Sequence, residues 1–71
     1  MRVFINGSEV NLFAGARVQD GVTAYSPLAV KDVLAGRVAV RDVEGNRVYA
    51  DGRLREGDRL TLTAVETGES L

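Results

Sequence analysis

Met1-Arg2-Val3-Phe4-Ile5-Asn6-Gly7-Ser8-Glu9-Val10-Asn11-Leu12-Phe13 is the stretch that decides the fold. Two alternating runs flank Asn6-Gly7, the strongest short-range hairpin signal, because a type I′ turn needs positive φ at both central residues. A two-residue loop sets Ile5 opposite Ser8, Val3 opposite Val10 and Met1 opposite Leu12. Side chains on a strand alternate, so these residues share one side of the sheet, and Arg2, Phe4, Glu9 and Asn11 share the other. Register and apolar pattern agree; a slip of one residue would turn the whole apolar set into water.

Beyond a connecting turn at Ala14-Gly15-Ala16 the period changes. Val18, Val22 and Tyr25 recur at helical spacing. Gly21 disfavours that helix by about 1 kcal/mol relative to alanine, so an irregular first piece is expected. Ser26-Pro27 restarts it, with Ser26 as N-cap and Pro27 at the first helical position. Val30, Val33 and Leu34 make an apolar stripe, and Gly36 supplies the left-handed stop. An amphipathic helix in two segments follows.

Residues Arg37 to Val43 alternate again, with Val38 and Val40 inward and Arg37, Ala39 and Arg41 outward. Glu44-Gly45-Asn46 is a turn and Val48-Tyr49-Ala50 a short strand. After a turn at Asp51-Gly52, Leu54 stands alone as an apolar plug. Glu56-Gly57-Asp58 turns into a last strand, where Leu60, Leu62 and Ala64 alternate with Arg59, Thr61 and Thr63. The order hairpin, helix, strand, short strand, strand predicts an α+β layer with all helix on one face. The right-handed crossover rule places the last strand beside the first, in parallel. The expected core is Met1, Val3, Ile5, Val10, Leu12, Val30, Val33, Leu34, Val38, Val40, Leu54, Leu60 and Leu62.

A chain of 71 residues is one domain, and a domain of this size buries only roughly 60% of the surface its unfolded chain exposes. It contains neither cysteine nor histidine. That removes disulfides, the usual zinc ligands, the commonest general base and the best nucleophile. Lys31 is the single lysine, and the carboxylates and serines form no recognisable constellation. An autonomous enzyme is not expected, and neither a cofactor nor a metal is implied. A net charge of −1 argues against wholesale nucleic-acid binding. Met1-Arg2-Val3-Phe4 enters a strand pattern at once, without a signal-peptide apolar region. No apolar run reaches membrane-spanning length. A cytoplasmic, monomeric protein with no membrane association is the expectation.

Ile5-Asn6-Gly7-Ser8-Glu9-Val10, Gly15-Ala16-Arg17-Val18-Gln19-Asp20 and Leu54-Arg55-Glu56-Gly57-Asp58-Arg59-Leu60, in that order and spacing, resemble the ThiS/MoaD-like sulfur carriers. The resemblance runs from Met1 to Val65. It implies a ubiquitin-like β-grasp, a mixed sheet with an N-terminal hairpin and helix packed on one face, spanning residues 1–65. Residues 66–71 are then a flexible C-terminal tail. Members of that family are adenylated on a terminal Gly-Gly carboxylate, which is then converted to a thiocarboxylate. Their partners are an activating enzyme and a sulfur-transfer enzyme. Glycine suits a tail that threads a narrow channel because it has no side chain. Here Glu66-Thr67 stands where the glycines would begin, and Glu69-Ser70-Leu71 follows Gly68. The tail thus has three readings: a frayed terminus without a role, a masked carrier trimmed to end at Thr67-Gly68, or a divergent member that kept the fold without the chemistry.

On a β-grasp the uncovered sheet face carries Arg2, Phe4, Glu9, Asn11, Arg37, Ala39, Arg41, Tyr49, Arg59, Thr61 and Thr63. Six of the eight arginines lie from Arg37 to Arg59. Arginine beside an aromatic is the composition of interface hot spots, so Arg2, Phe4, Arg37, Arg41, Tyr49 and Arg59 are the candidate partner-binding residues. One sheet face is ordinarily solvated, and Asp42, Glu44, Asp51, Glu56 and Asp58 offset the same arginines. The function expected is a non-catalytic, carrier-like or protein-binding module. A sulfur carrier activated by trimming at Gly68 is the first alternative. A nucleic-acid-binding module is the second, against which the overall charge and the lack of paired exposed aromatics weigh.

Overall fold

Asn6 and Gly7 take φ of 51° and 82° in the computed structural model, which describes residues 1–65. They join β1 (Arg2–Ile5) to β2 (Ser8–Asn11). The register is the expected one: Arg2 opposite Asn11, Val3 opposite Val10, Phe4 opposite Glu9 and Ile5 opposite Ser8. Val3 and Ile5 are fully buried, so turn chemistry and burial select the same pairing.

Two helices follow, α1 (Val18–Tyr25) and α2 (Pro27–Leu34). Ser26 separates them with extended backbone, and its Oγ accepts a hydrogen bond from the Ala29 N–H. At the start of α1 the Asp20 carboxylate accepts from the Arg17 N–H. The N–H groups of Val18 and Gln19 donate to the carbonyls of Gly52 and Ala50. Those helix N–H groups have no partner inside the helix, so they pin the 50–54 loop against it. Gly36, at φ 83°, ends α2.

The remaining strands are β3 (Val38–Arg41), β4 (Arg47–Val48) and β5 (Arg59–Ala64). The sheet is mixed, in the order β2-β1-β5-β3-β4. Only β1 and β5 are parallel, with Phe4 beside Arg59 and Ile5 beside Leu60. The whole is an α+β fold with a five-stranded sheet, as the sequence predicts.

The core differs in which helix supplies it. Its buried members are Val3, Ile5, Val10, Val18, Val22, Val40, Leu54 and Leu60. Val18 and Val22 come from α1, the segment expected to be irregular. Gly21 is why. An added Cβ there would lie 3.2 Å from Leu54 Cδ1 and 3.4 Å from the Cδ1 atoms of Ile5 and Leu12. The missing side chain lets α1 settle directly on the core, which outweighs the weak helix propensity. On α2 no residue is buried. Val30 and Val33 pack only partly against the core, and Leu34, expected inside, is 62% exposed. It lies one helical step past Val33, beyond the narrow strip that a helix of two turns can press onto the sheet.

Three smaller expectations also shift. Met1, Leu12, Val38 and Leu62 are half-buried rather than enclosed. Ala64, expected inward, is exposed at the end of β5. Ala39, expected outward, is 2% exposed: a methyl on an inner strand does not rise past the longer side chains around it. Leu54 is the plug that its isolation suggested, buried and held by its N–H to the Ala16 carbonyl.

Candidate functional site

The face of the sheet away from the helices is organised by strand register into two rows. In the first, Glu9 on β2, Phe4 on β1 and Arg59 on β5 are direct neighbours. The Arg59 guanidinium lies over the Phe4 ring, 4.5 Å from its centroid. In the second, Thr61 on β5, Arg41 on β3 and Arg47 on β4 stand side by side. Arg47 reaches over Tyr49, 5.4 Å from the ring centroid, and Tyr49 is 64% exposed. Exposed cation–π contacts contribute about 0.5–1 kcal/mol each, a modest bias toward the stacked arrangement.

Four of the six candidate residues therefore come together: Phe4, Arg41, Tyr49 and Arg59. Arg2 shares the face at its margin, where the Glu56 carboxylate accepts from its N–H and pairs with its guanidinium. Arg37 stands at the far end of β3, apart from these four and paired to Asp32. Its N–H closes the end of α2 on the Asp32 carbonyl, and its side chain pairs with the Asp32 carboxylate at 2.9 Å. Its own carbonyl accepts from the Val65 N–H, which continues the β3–β5 pairing one step past Val38, so Arg37 joins the helix terminus to the sheet. Thr67 and Gly68, the candidate carrier-tail residues, lie outside the described residues.

Arg47 is the member that sequence reading passed over. The signal was present: Val48 faces inward beside Val40, so its neighbours Arg47 and Tyr49 must face outward together. Reading the short strand as beginning at Val48 hid it.

Among the described residues only Arg2 and Arg37 have a carboxylate within ion-pairing distance. Arg41 donates to the Gly45 carbonyl. It also sits directly opposite Arg47, a like-charged cross-strand pair that disfavours the isolated sheet.

Just beyond these arginines the sheet opens. The last β3–β5 pair is Arg41 with Thr61, and no backbone hydrogen bond joins Val43 to Arg59. The gap is a groove of about 510 Å³. Its lining includes the apolar Val48, Leu54 and Leu60, the basic Arg53, Arg55 and Arg59, and the acidic Asp42, Glu44 and Asp58. Asp42 is occupied by the N–H groups of Glu44 and Asn46, and Asp58 by that of Arg55. No cluster of three or more metal-ligating side chains occurs among the described residues. No described helix is long and apolar enough to cross a membrane. Comparisons with protein-family models, with curated proteins and with solved structures find no match to this chain.

Proposed function

We propose that this chain is a β-grasp domain of the ThiS/MoaD type that acts without catalysis, by binding a protein partner on the open face of its sheet. Support for the fold assignment is the strand order β2-β1-β5-β3-β4 with one parallel pair at its centre, and helices between the hairpin and β3. The observation that carries the functional reading is the facing pair Arg41 and Arg47, flanked by Arg59 on Phe4 and by Tyr49. Like charges set opposite each other disfavour the free domain. They become favourable when a partner's carboxylates settle between them. Fixed aromatics beside arginines are also the residues that dominate interface energies. Nucleic acid fits less well, because the Phe4 ring is capped by Arg59 and the chain is net acidic.

Photocrosslinking tests the reading. A photoreactive phenylalanine analogue at position 49, in cells that make the protein, should give a discrete protein adduct that disappears in an R41E/R47E background. The same analogue at the exposed helical Thr23 should give none. No adduct from position 49, or equal adducts from both positions, would remove the proposal.

A further inference from the structure

The side chain of Asn6 takes a place in the sheet that the backbone vacates. Along the parallel β1–β5 pair the Phe4 N–H donates to the Asp58 carbonyl and the Asn6 N–H to the Leu60 carbonyl. A regular ladder would next carry the Leu62 N–H to the Asn6 carbonyl. The chain turns away at Asn6, and Asn6 Oδ1 accepts that bond instead, at 3.0 Å. Asn6 Nδ2 donates to the Tyr25 hydroxyl at the end of α1, at 3.3 Å. One carboxamide thus ties the turn to β5 and to α1, although residue 6 is itself exposed. The Gly7 N–H, by contrast, donates to nothing among the described residues. Without a Cβ on Gly7, nothing shields that nitrogen from the side chain before it.

We propose that Asn6-Gly7 is a site of spontaneous deamidation and that the bonds to Leu62 and Tyr25 set its rate. The Gly7 nitrogen forms a bond to Asn6 Cγ as the Cγ–Nδ2 bond breaks. The Gly7 proton leaves with Nδ2 as ammonia, and a succinimide closes. Water then adds across one of the two imide C–N bonds of that ring. Opening at Cγ gives aspartate and restores the original peptide link. Opening at the backbone carbonyl gives isoaspartate, in which the chain runs through the former side chain. No electrons are transferred. Ring closure draws Cγ to the Gly7 nitrogen and pulls the carboxamide off Leu62 and Tyr25, so the reaction waits on local opening of the turn.

The two products differ in consequence. An aspartate at position 6 still accepts from the Leu62 N–H and from the Tyr25 hydroxyl. Isoaspartate inserts an additional backbone carbon into a two-residue turn whose geometry fixes the register. The pairing of Val3 with Val10 is lost with it. The hairpin that organises the fold is therefore where an ageing chain is marked, whether or not the sheet face binds a partner.

The test holds the full chain in warm, mildly alkaline buffer and samples it over time. Trypsin releases residues Val3 to Arg17 as one peptide, which carries Asn11-Leu12 as an internal comparison. The mass gained on exchanging NH2 for OH counts deamidation, and labelling by an isoaspartyl methyltransferase counts isoaspartate. Asn6 in the folded chain should react at least about tenfold more slowly than in the isolated peptide, a factor equal to about 1.4 kcal/mol. Tyr25→Phe, which keeps the ring, should speed the folded reaction about two- to tenfold, the effect of one lost hydrogen bond. Val48→Ala, on the far edge strand, weakens the domain without touching Asn6 and should not. Asn6→Gly should speed hydrogen exchange at the Leu62 N–H and leave Val10 protected. Chains converted to isoaspartate should lose the native NMR signals of Val3 and Val10, which Asn6→Asp should keep.

Equal rates in the folded chain and the isolated peptide would overturn the inference. So would a wild-type rate in Tyr25→Phe, or unchanged Leu62 exchange in Asn6→Gly. Equal acceleration by Val48→Ala and Tyr25→Phe would assign the reaction to general unfolding and remove the gate. Isoaspartate chains that keep the native hairpin signals would refute the structural consequence.

Discussion

Gly21 on α1 and Leu54 in the loop before β5 are shaped to each other: a Cβ on Gly21 would lie 3.2 Å from Leu54 Cδ1. Helix and loop are also tied by backbone, through the Val18 and Gln19 N–H groups on the Gly52 and Ala50 carbonyls. The glycine disfavours its helix by about 1 kcal/mol. What it permits is a close approach of α1 to Leu54, Ile5 and Leu12, which an added side chain would have to push back.

Gly21→Val should therefore destabilise by about 1–3 kcal/mol, the range for overpacking a tight core. Leu54→Ala alone should cost about 2–5 kcal/mol, as a leucine truncated in a core does. The double variant should be less destabilised than the two single changes together, because the space vacated by Leu54 accommodates the new methyls. Urea unfolding of the four proteins checks this; strict additivity would show that the two sites do not share a cavity.

Gly7 makes the opposite case. Nothing lies within 4 Å of a Cβ built there, but its φ is 82°. Gly7→Val should cost about 1–2 kcal/mol through backbone strain alone, the usual penalty for a side chain in the left-handed region. The hairpin register should be unchanged. A denaturant midpoint equal to wild type would mean the turn relaxes to another type.

The contrast marks where sequence reading succeeds. The hairpin rests on local chemistry: a two-residue turn with defined φ and a period of two leave one register, and Val3 opposite Val10 is the result. The helix break at Ser26 and the stop at Gly36 are local for the same reason. Gly21, by contrast, reads as a helix defect until Leu54, far along the chain, is brought against it. The demotion of Leu34 likewise depends on how little of α2 meets the sheet. Arg37 alternates with its neighbours in sequence; that its side chain is held by Asp32 across the helix end is a tertiary fact the alternation does not carry. Arg47 was within reach, since an inward Val48 requires outward neighbours.

The Arg41–Arg47 pair should weaken the free domain and serve the bound one. Arg47→Glu replaces a like-charged cross-strand contact with an opposite one and should stabilise the isolated chain by about 0.2–1 kcal/mol when both forms carry Tyr49→Leu, which takes the Arg47–Tyr49 contact out of the comparison. The gain should shrink as salt is added, because exposed charges are screened within about 10 Å at 0.1 M ionic strength. Thermal melts at low and high salt measure both effects. Arg47→Glu should also lose the position-49 crosslink. A Tyr49→Leu chain made less stable by Arg47→Glu would mean the two guanidiniums are not in conflict.

The carrier alternative turns on Glu66-Thr67, at the positions where the resemblance places glycines. Adenylation brings a carboxylate up to a triphosphate within a narrow channel, and Glu66 and Glu69 would carry negative charge along the approach. At close range and effective dielectric near 20, one such contact disfavours the complex by about 4 kcal/mol. The 71-residue chain should therefore remain unmodified with ATP and a ThiS/MoaD-type activating enzyme. If the proposed β-grasp reading holds, a variant with Glu66-Thr67 replaced by a terminal Gly-Gly should acquire an adenylate. Intact mass spectrometry reads both, along with the exchange of oxygen for sulfur when a sulfur donor is added. Modification of the unaltered chain would replace the binding-module reading with a working carrier. Modification of a form ending at Gly68, with the unaltered chain inert, would favour the trimmed carrier. Reaction of the Gly-Gly variant alone would show that the domain is still recognised and that Glu66-Thr67 is what separates it from the chemistry.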